Sequence, residues 1–511
     1  MKRLFALLLA ALMLAGCGKQ GDYTPTGDGL TIEETEVGDM ASSNSNGDPQ
    51  DLTMPCYVDV TMNPLRCTDY TNRAFVSLIY QSLFTVSRDY VVEPMLCSRY
   101  SMADDMESYV FYVDEAARFS DGSAVSAADV AATLREARKS SYYSGRFQHI
   151  TAISETEDGG ISIVLDTACE NLPILLDIPI LKASELDAKH PLGSGAYVLD
   201  ANGKEWLLRR NTNWWCKAQL PISSPAIVLA KAYSNQQIRD DFQFSELNLV
   251  CADPCSDRYT DYRCDYELWG CESGVFTYIA FCDMSQVFNN LQLRAAVTHA
   301  VDRDLLSESV YRGFGKSATL PASPISPYYN KGLAERYGYD PEKFQQVVQE
   351  TGMEGKQVVF LVNSDDSLRV RAARQVADQL TTSGLVVVMK EVSGQDYTDA
   401  LERREFDLYM GQTKLSANMD LSAFFMPDGK LSVGGVENAT IYNLCLQALE
   451  NHGNYYTLYQ QIMDQGRLCP VLFCSQAVYA SRGVVTGLEP ARDNLFWYSI
   501  GKTMEEAFIR N

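Results

Sequence analysis

Tyr109-Val110-Phe111-Tyr112-Val113, then Ala117-Arg118-Phe119-Ser120-Asp121-Gly122-Ser123, then Val125-Ser126-Ala127-Ala128-Asp129-Val130, is the stretch that decides the fold. The first run is aromatic and β-branched, which suits a strand. Asp121-Gly122 supplies a turn. Ser126 and Asp129 form a capping box, with a hydroxyl oxygen for the free amides of a helix and a carboxylate three residues on. The same alternation recurs outward. Ile161–Leu165, Gln357–Val362, Leu385–Met389 and Phe406–Met410 read as strands. Asp340-Pro341-Glu342-Lys343 opens a helix with a cap and a proline at its first position. Residues 291–310 carry Leu293, Val297, Ala300, Val301 and Leu305 at helical spacing, predicting one buried face. Strands alternating with helices indicate an α/β protein with mixed sheets.

The chain has 511 residues, long enough for several domains. Its 66 acidic residues against 43 basic ones give a formal charge of −23, which argues against nucleic acid as a partner. Fourteen cysteines are too few for a disulfide scaffold at this length.

Lys2 and Arg3 precede an apolar run, Leu4 to Leu14, too short to span a bilayer and suited to a secretory signal. The run ends in Leu14-Ala15-Gly16-Cys17, which resembles a bacterial lipobox. That resemblance implies cleavage after residue 16, lipidation of Cys17, and anchoring to the outer face of the cytoplasmic membrane. Residues 18–50 are acidic and lack apolar periodicity, as expected of a flexible tether reaching about 30 Å. No later segment offers 18 uninterrupted apolar residues, so the body is expected to face water.

The body resembles the extracellular solute-binding proteins, family 5, of ABC importers for oligopeptides, dipeptides and nickel chelates. The segment from Phe119 to Val130 looks like that family's strand–turn–helix signature, with Ala124 at the usual proline. Leu192-Gly193-Ser194-Gly195-Ala196-Tyr197, Arg210-Asn211-Thr212-Asn213-Trp214-Trp215 and Leu293-Arg294-Ala295-Ala296-Val297 through Asp302-Arg303 look like later landmarks. Tyr339-Asp340-Pro341 and Glu405-Phe406-Asp407-Leu408 complete the order.

The resemblance implies a two-lobed periplasmic-binding-protein-like fold (type II, cluster C) with an inserted accessory domain. Lobe I would take residues 51–80, 195–275 and 476–511, the accessory domain 81–194, and lobe II 276–475. It further implies a monomer that captures peptides or peptide-like solutes by hinge closure and delivers them to ABC permease subunits. A sensor lipoprotein with the same fold, signalling to a membrane partner, is the alternative.

Peptide-binding relatives place an aspartate shortly after the strand that ends near Met410. Here that position is Leu415, beside Lys414, a cation suited to a carboxylate or phosphate of the solute. Asp420 could supply an anion from the next turn. Gln412 and Thr413 are expected to follow the strand toward the cleft. Tyr80 and Phe84 stand where the family's first lobe approaches the solute, and each is equally suited to core packing.

Cys251, Cys255, Cys264 and Cys271 lack paired zinc-knuckle spacing, so metal, disulfide and buried-thiol readings stay open, with no metal or cofactor expected. Setting Cys17 aside leaves an odd number, which cannot all pair within one chain. His149, His190, His299 and His452 show no metal spacing, and His299 is expected to pack. No nucleophile elbow, phosphate loop, zinc-protease helix or dinucleotide fingerprint occurs, so no enzyme is expected.

Overall fold

The computed structural model describes residues 52–510; the signal segment, Cys17 and the tether lie outside them. The deciding stretch folds as read. Strand Ser108–Val113 leads through the Asp121-Gly122 turn to helix Ala127–Ala137, where Ser126 Oγ accepts from the Asp129 amide and the Asp129 carboxylate accepts from the Ser126 amide. The strand lies in a four-stranded antiparallel sheet ordered Cys97–Met102, Ser108–Val113, Ile161–Leu165, Ile150–Glu155. Helix Ala127–Ala137 packs on this sheet with Val130, Ala131 and Leu134 buried.

A second four-stranded sheet runs Leu52–Cys56, Ala226–Lys231, Trp206–Arg210, Tyr197–Asp200, its first pair parallel and the rest antiparallel. The largest sheet has seven strands. Its order is Leu249–Ala252, Leu468–Ala480, Glu267–Phe281, Leu408–Lys414, Gln357–Asn363, Val386–Val392, with Gly315–Ser317 also paired to Leu468–Ala480. The pairings of Gln357–Asn363 on both sides are parallel, and helices Ser367–Thr382 and Gly394–Glu402 make the crossovers. Strand Leu468–Ala480 is buried along its whole length. It and Glu267–Phe281 pair over most of their length, broken by register shifts between Glu272 and Val275 and between Thr277 and Tyr278. No helix among the described residues is long and apolar enough to cross a membrane.

Two expectations are corrected. Residues 291–310 form two helices, Leu291–Ala300 and Arg303–Ser309. Val301 turns to extended backbone, Asp302 caps the second helix through the Leu305 amide, and Leu305 is exposed. The apolar spacing continues across this break because Val301 packs in the core as loop, not as helix. Gln412 and Thr413 lie within a strand, not after it. Pairing with Val275–Phe281 carries the backbone ladder to Lys414, four residues past the apolar run.

Candidate functional site

Strand Leu408–Lys414 ends against a tight turn, Ala491–Asn494, in which Ala491 and Asn494 exchange backbone hydrogen bonds. Gln476, on the buried strand, fastens that turn by donating Nε2 to the carbonyls of Arg492 (2.8 Å) and Ala491 (3.3 Å). The turn thereby holds Asp493 at the centre of a buried charge cluster. Lys414 Nζ donates to Asp493 Oδ1 at 2.6 Å and Tyr142 OH donates to the same oxygen at 3.0 Å. Arg492 Nε donates to Oδ2 at 3.1 Å, and Arg146 Nη2 lies 3.2 Å from it. Arg146 also donates to Asp177.

These groups come from three separate stretches of chain: 142–177, Lys414, and the 491–494 turn. Supports behind them fix their geometry. The Arg73 guanidinium stacks 3.3 Å from the centroid of the Tyr142 ring and is held by the carbonyls of Pro64 and Cys67. Arg492 Nη2 donates to the carbonyl of Leu415. Gly274, at φ +75°, permits this approach, since a Cβ there would sit 2.3 Å from Arg492 Nη2. Beyond Arg492, Glu272 accepts from Tyr90 OH at 3.1 Å and from Ser323.

Burial opposes the charge on Asp493, yet Lys414, Arg146 and Arg492 together hold its carboxyl well below the ordinary range. Burial raises the Glu272 carboxyl. Arg492 Nη1 is buried without a hydrogen-bond partner among the described residues. The arrangement offers guanidinium and ammonium donors beside carboxylates in one low-dielectric seam, which suits a solute carrying both signs of charge.

A second cluster adjoins the first. His149 Nδ1 lies 2.9 Å from Asp166 and Nε2 lies 3.3 Å from Asp420 and 3.0 Å from Ser422 Oγ. Burial pushes the His149 pKa down, but Asp420 and Asp166 outweigh it and raise the value. Ser422, His149 and Asp166 have the spacing of a hydrolytic triad. Carboxylates at both ring nitrogens favour the protonated imidazole, the form in which Nε2 has no lone pair to take the Ser422 proton. Ser422 Oγ instead donates to Asp420 at 2.9 Å and is wholly buried. A cavity of about 20 Å³ between Arg146, His149, Cys169 and Asp420 has room for one water.

The expected residues are distributed unevenly. Lys414 is in the first cluster and Asp420 in the second, each with a different counter-charge. Gln412 shares the strand face of Lys414 but accepts from Arg369 Nη2 at 3.0 Å and donates to Thr277 Oγ1 at 3.2 Å. Thr413 pairs with Phe276 in the ladder and points to the opposite face. Tyr80 and Phe84 are core residues. Tyr80 OH donates to the carbonyls of Met62 and Pro191, and Phe84 packs edge-on against Tyr100 and Phe111. Leu415, at the position where an aspartate was expected, is buried and contributes its carbonyl to Arg492. Arg146, Asp177, Arg492, Asp493 and His149 were not picked out from sequence. Only the adjacent opposite charges Arg492-Asp493 within an apolar terminus hinted at them.

Cys251, Cys255 and Cys271 are buried thiols and Cys264 is half-buried; burial drives the Cys271 pKa up to about 12. His299 packs in the core with Nδ1 2.7 Å from the Gly338 carbonyl.

Residues 91–431 match the model of the bacterial extracellular solute-binding proteins, family 5. Glutathione-binding protein GsiB of Shigella boydii and that of Salmonella typhi are each 22% identical over 307 residues, covering 57% of this chain. The chain spans 59% of the length of these curated relatives. The structure is similar to the substrate-binding protein CtaP of an ABC transporter from Listeria monocytogenes, with TM-score 0.71 and 16% identity, covering 88% of this chain and 98% of that one. The oligopeptide-binding protein AppA of Bacillus subtilis, solved with a nonapeptide, gives TM-score 0.61 and 19% identity, covering 89% and 100%. The fold is the two-lobed cluster C arrangement of periplasmic binding proteins. With a family model covering most of its length, the chain belongs to the bacterial extracellular solute-binding proteins, family 5, which bind solutes and are not enzymes.

Proposed function

We propose that the chain is the substrate-binding lipoprotein of an ABC importer, taking peptides or peptide-like solutes into the seam around Asp493. Cys17 would carry the lipid and hold the monomeric body outside the cytoplasmic membrane, within reach of the permease. The lobe division follows residues 51–80, 195–275 and 476–511 against 276–475, with 81–194 inserted. The two long strands would be the hinge, bending at the first of their two register shifts, Glu272–Val275.

The observation that carries this reading is the Asp493 cluster, where three distant stretches contribute Arg146, Asp177, Lys414, Arg492 and Asp493. A peptide carries an ammonium and a carboxylate. Its carboxylate would compete for Arg492 and Lys414, and its ammonium for Asp493 and Glu272, so the internal pairs exchange for pairs with the solute. An aspartate next to the strand, as in peptide-binding relatives, is thereby replaced by one from the C-terminal turn.

Native mass spectrometry of residues 18–511, gently purified, tests the proposal. A ladder of adducts with short-peptide masses, released on acidification, is expected. A clean apo mass that stays apo after incubation with a mixed peptide library would refute it.

A further inference from the structure

At the Phe281 end of the long strands, sharing no residue with either cluster, lies a cavity of about 220 Å³. Asp283, Asn289, Arg294, Gly466 and Arg467 are among its lining residues. Gly466, at φ +56°, lets the turn before the buried strand close against the helix Leu291–Ala300, since a Cβ there would sit 2.6 Å from the Ala295 nitrogen.

The charges of this lining do not balance. Arg294 donates Nε to the Gln465 carbonyl at 3.1 Å and Nη1 to the Phe288 carbonyl at 2.7 Å, so neutral carbonyls take two of its five hydrogens. Arg467 Nε is buried with no hydrogen-bond partner among the described residues. Asp283, the carboxylate in the lining, is already engaged, with both oxygens 2.8–2.9 Å from Arg404 Nη1. Burial lowers the pKa of both Arg294 and Arg467; Arg467 lowers that of Arg294 further, while Asp283 partly offsets the effect on Arg467. Two guanidiniums thus face one small cavity with a single carboxylate, itself shared with Arg404, in a chain whose formal charge is −23. Buried Arg303, by contrast, has its guanidinium filled by the carbonyls of Ala318, Pro470, Thr298 and Val301, so no nitrogen of it is left as Arg467 Nε is.

We propose that this cavity binds a small oxyanion, the phosphate or carboxylate group of a solute, held by Arg467 with Arg294 as the second cation. The guanidinium fork matches either group, and the orphaned Nε supplies a donor with nothing else to meet. The volume is below the ~300–1000 Å³ of pockets for drug-sized ligands, so the ligand is small.

Isothermal titration of the full chain in detergent, with inorganic phosphate and with citrate at constant ionic strength in chloride, tests the site. At least one anion should bind saturably. Preference for phosphate or for citrate identifies which group the site takes. R467Q should weaken binding at least tenfold. R404Q, which frees Asp283 to pair with Arg467, should weaken it several-fold. In chloride alone, R467Q should melt at the same or a higher temperature than the parent, because it removes an unpaired charge. Absence of saturable binding by either anion, or equal binding by R467Q, would overturn the proposal. So would a lower melting temperature for R467Q in chloride, which would make Arg467 a structural residue.

Discussion

Asp493→Asn removes one charge and almost no volume, and so isolates the electrostatics of the central cluster. The carboxylate receives Lys414 at 2.6 Å, Tyr142 at 3.0 Å, Arg492 at 3.1 Å and Arg146 at 3.2 Å. Taking one partner from a buried ion pair costs about 3–5 kcal/mol. The three cations are not stranded equally. Lys414, with its side chain 27% exposed, can turn toward water, and Arg146 keeps Asp177. Arg492, 4% exposed, keeps the Leu415 carbonyl and the more distant carboxylates of Glu272 and Asp177. The expected loss is therefore near the lower bound, about 3 kcal/mol. Urea unfolding at pH 7, followed by tryptophan fluorescence, measures it. The pH dependence gives a second reading. The folded pKa of Asp493 lies below the unfolded value of about 3.9, so its contribution is full above that value and fades as pH falls through the folded pKa. D493N should lack this acid-limb loss. A D493N protein within about 0.5 kcal/mol of the parent, the range of ordinary surface substitutions, would refute the reasoning.

Other substitutions separate local effects from the cluster. His149 has a folded pKa above its unfolded value of about 6.5, so its pairing stabilises below that pH and is lost as pH rises through the folded pKa. H149Q should flatten the decline in melting temperature between pH 6 and 9; an unchanged slope contradicts the pairing. G274A forces a Cβ against Arg492 at positive φ and should destabilise by about 1–3 kcal/mol in urea unfolding. D302A removes the cap of the second helix and should cost about 1 kcal/mol by the same assay, whereas an uninterrupted helix over 291–310 would lose nothing.

Local chemistry in the sequence was enough for the strand–turn–helix at 108–137 and for the Asp340-Pro341 helix start, because caps and turns act over three or four residues. It was not enough for the break at Val301, where a core residue kept helical spacing while the backbone left the helix. The strand past Met410 was missed for the opposite reason: pairing with a distant strand extends Gln412–Lys414 without apolar residues. Lys414 stood out by its place beside Leu415. Its partner did not, since Asp493 lies 79 residues on, and Tyr142 is 351 residues from that aspartate. Charge pairs at such separations leave no periodic trace. They become visible only when the Gln476 hydrogen bonds place the 491–494 turn beside the strand end.

Equilibrium dialysis of a labelled tripeptide against the parent protein, its D493N variant, and the parent with N-acetylated, C-amidated peptide tests the central claim most directly. The free tripeptide should bind the parent, with affinity at least tenfold weaker both for D493N and for the blocked peptide. Equal binding of free and blocked peptide, unaffected by D493N, would contradict a charge-matching solute site at Asp493.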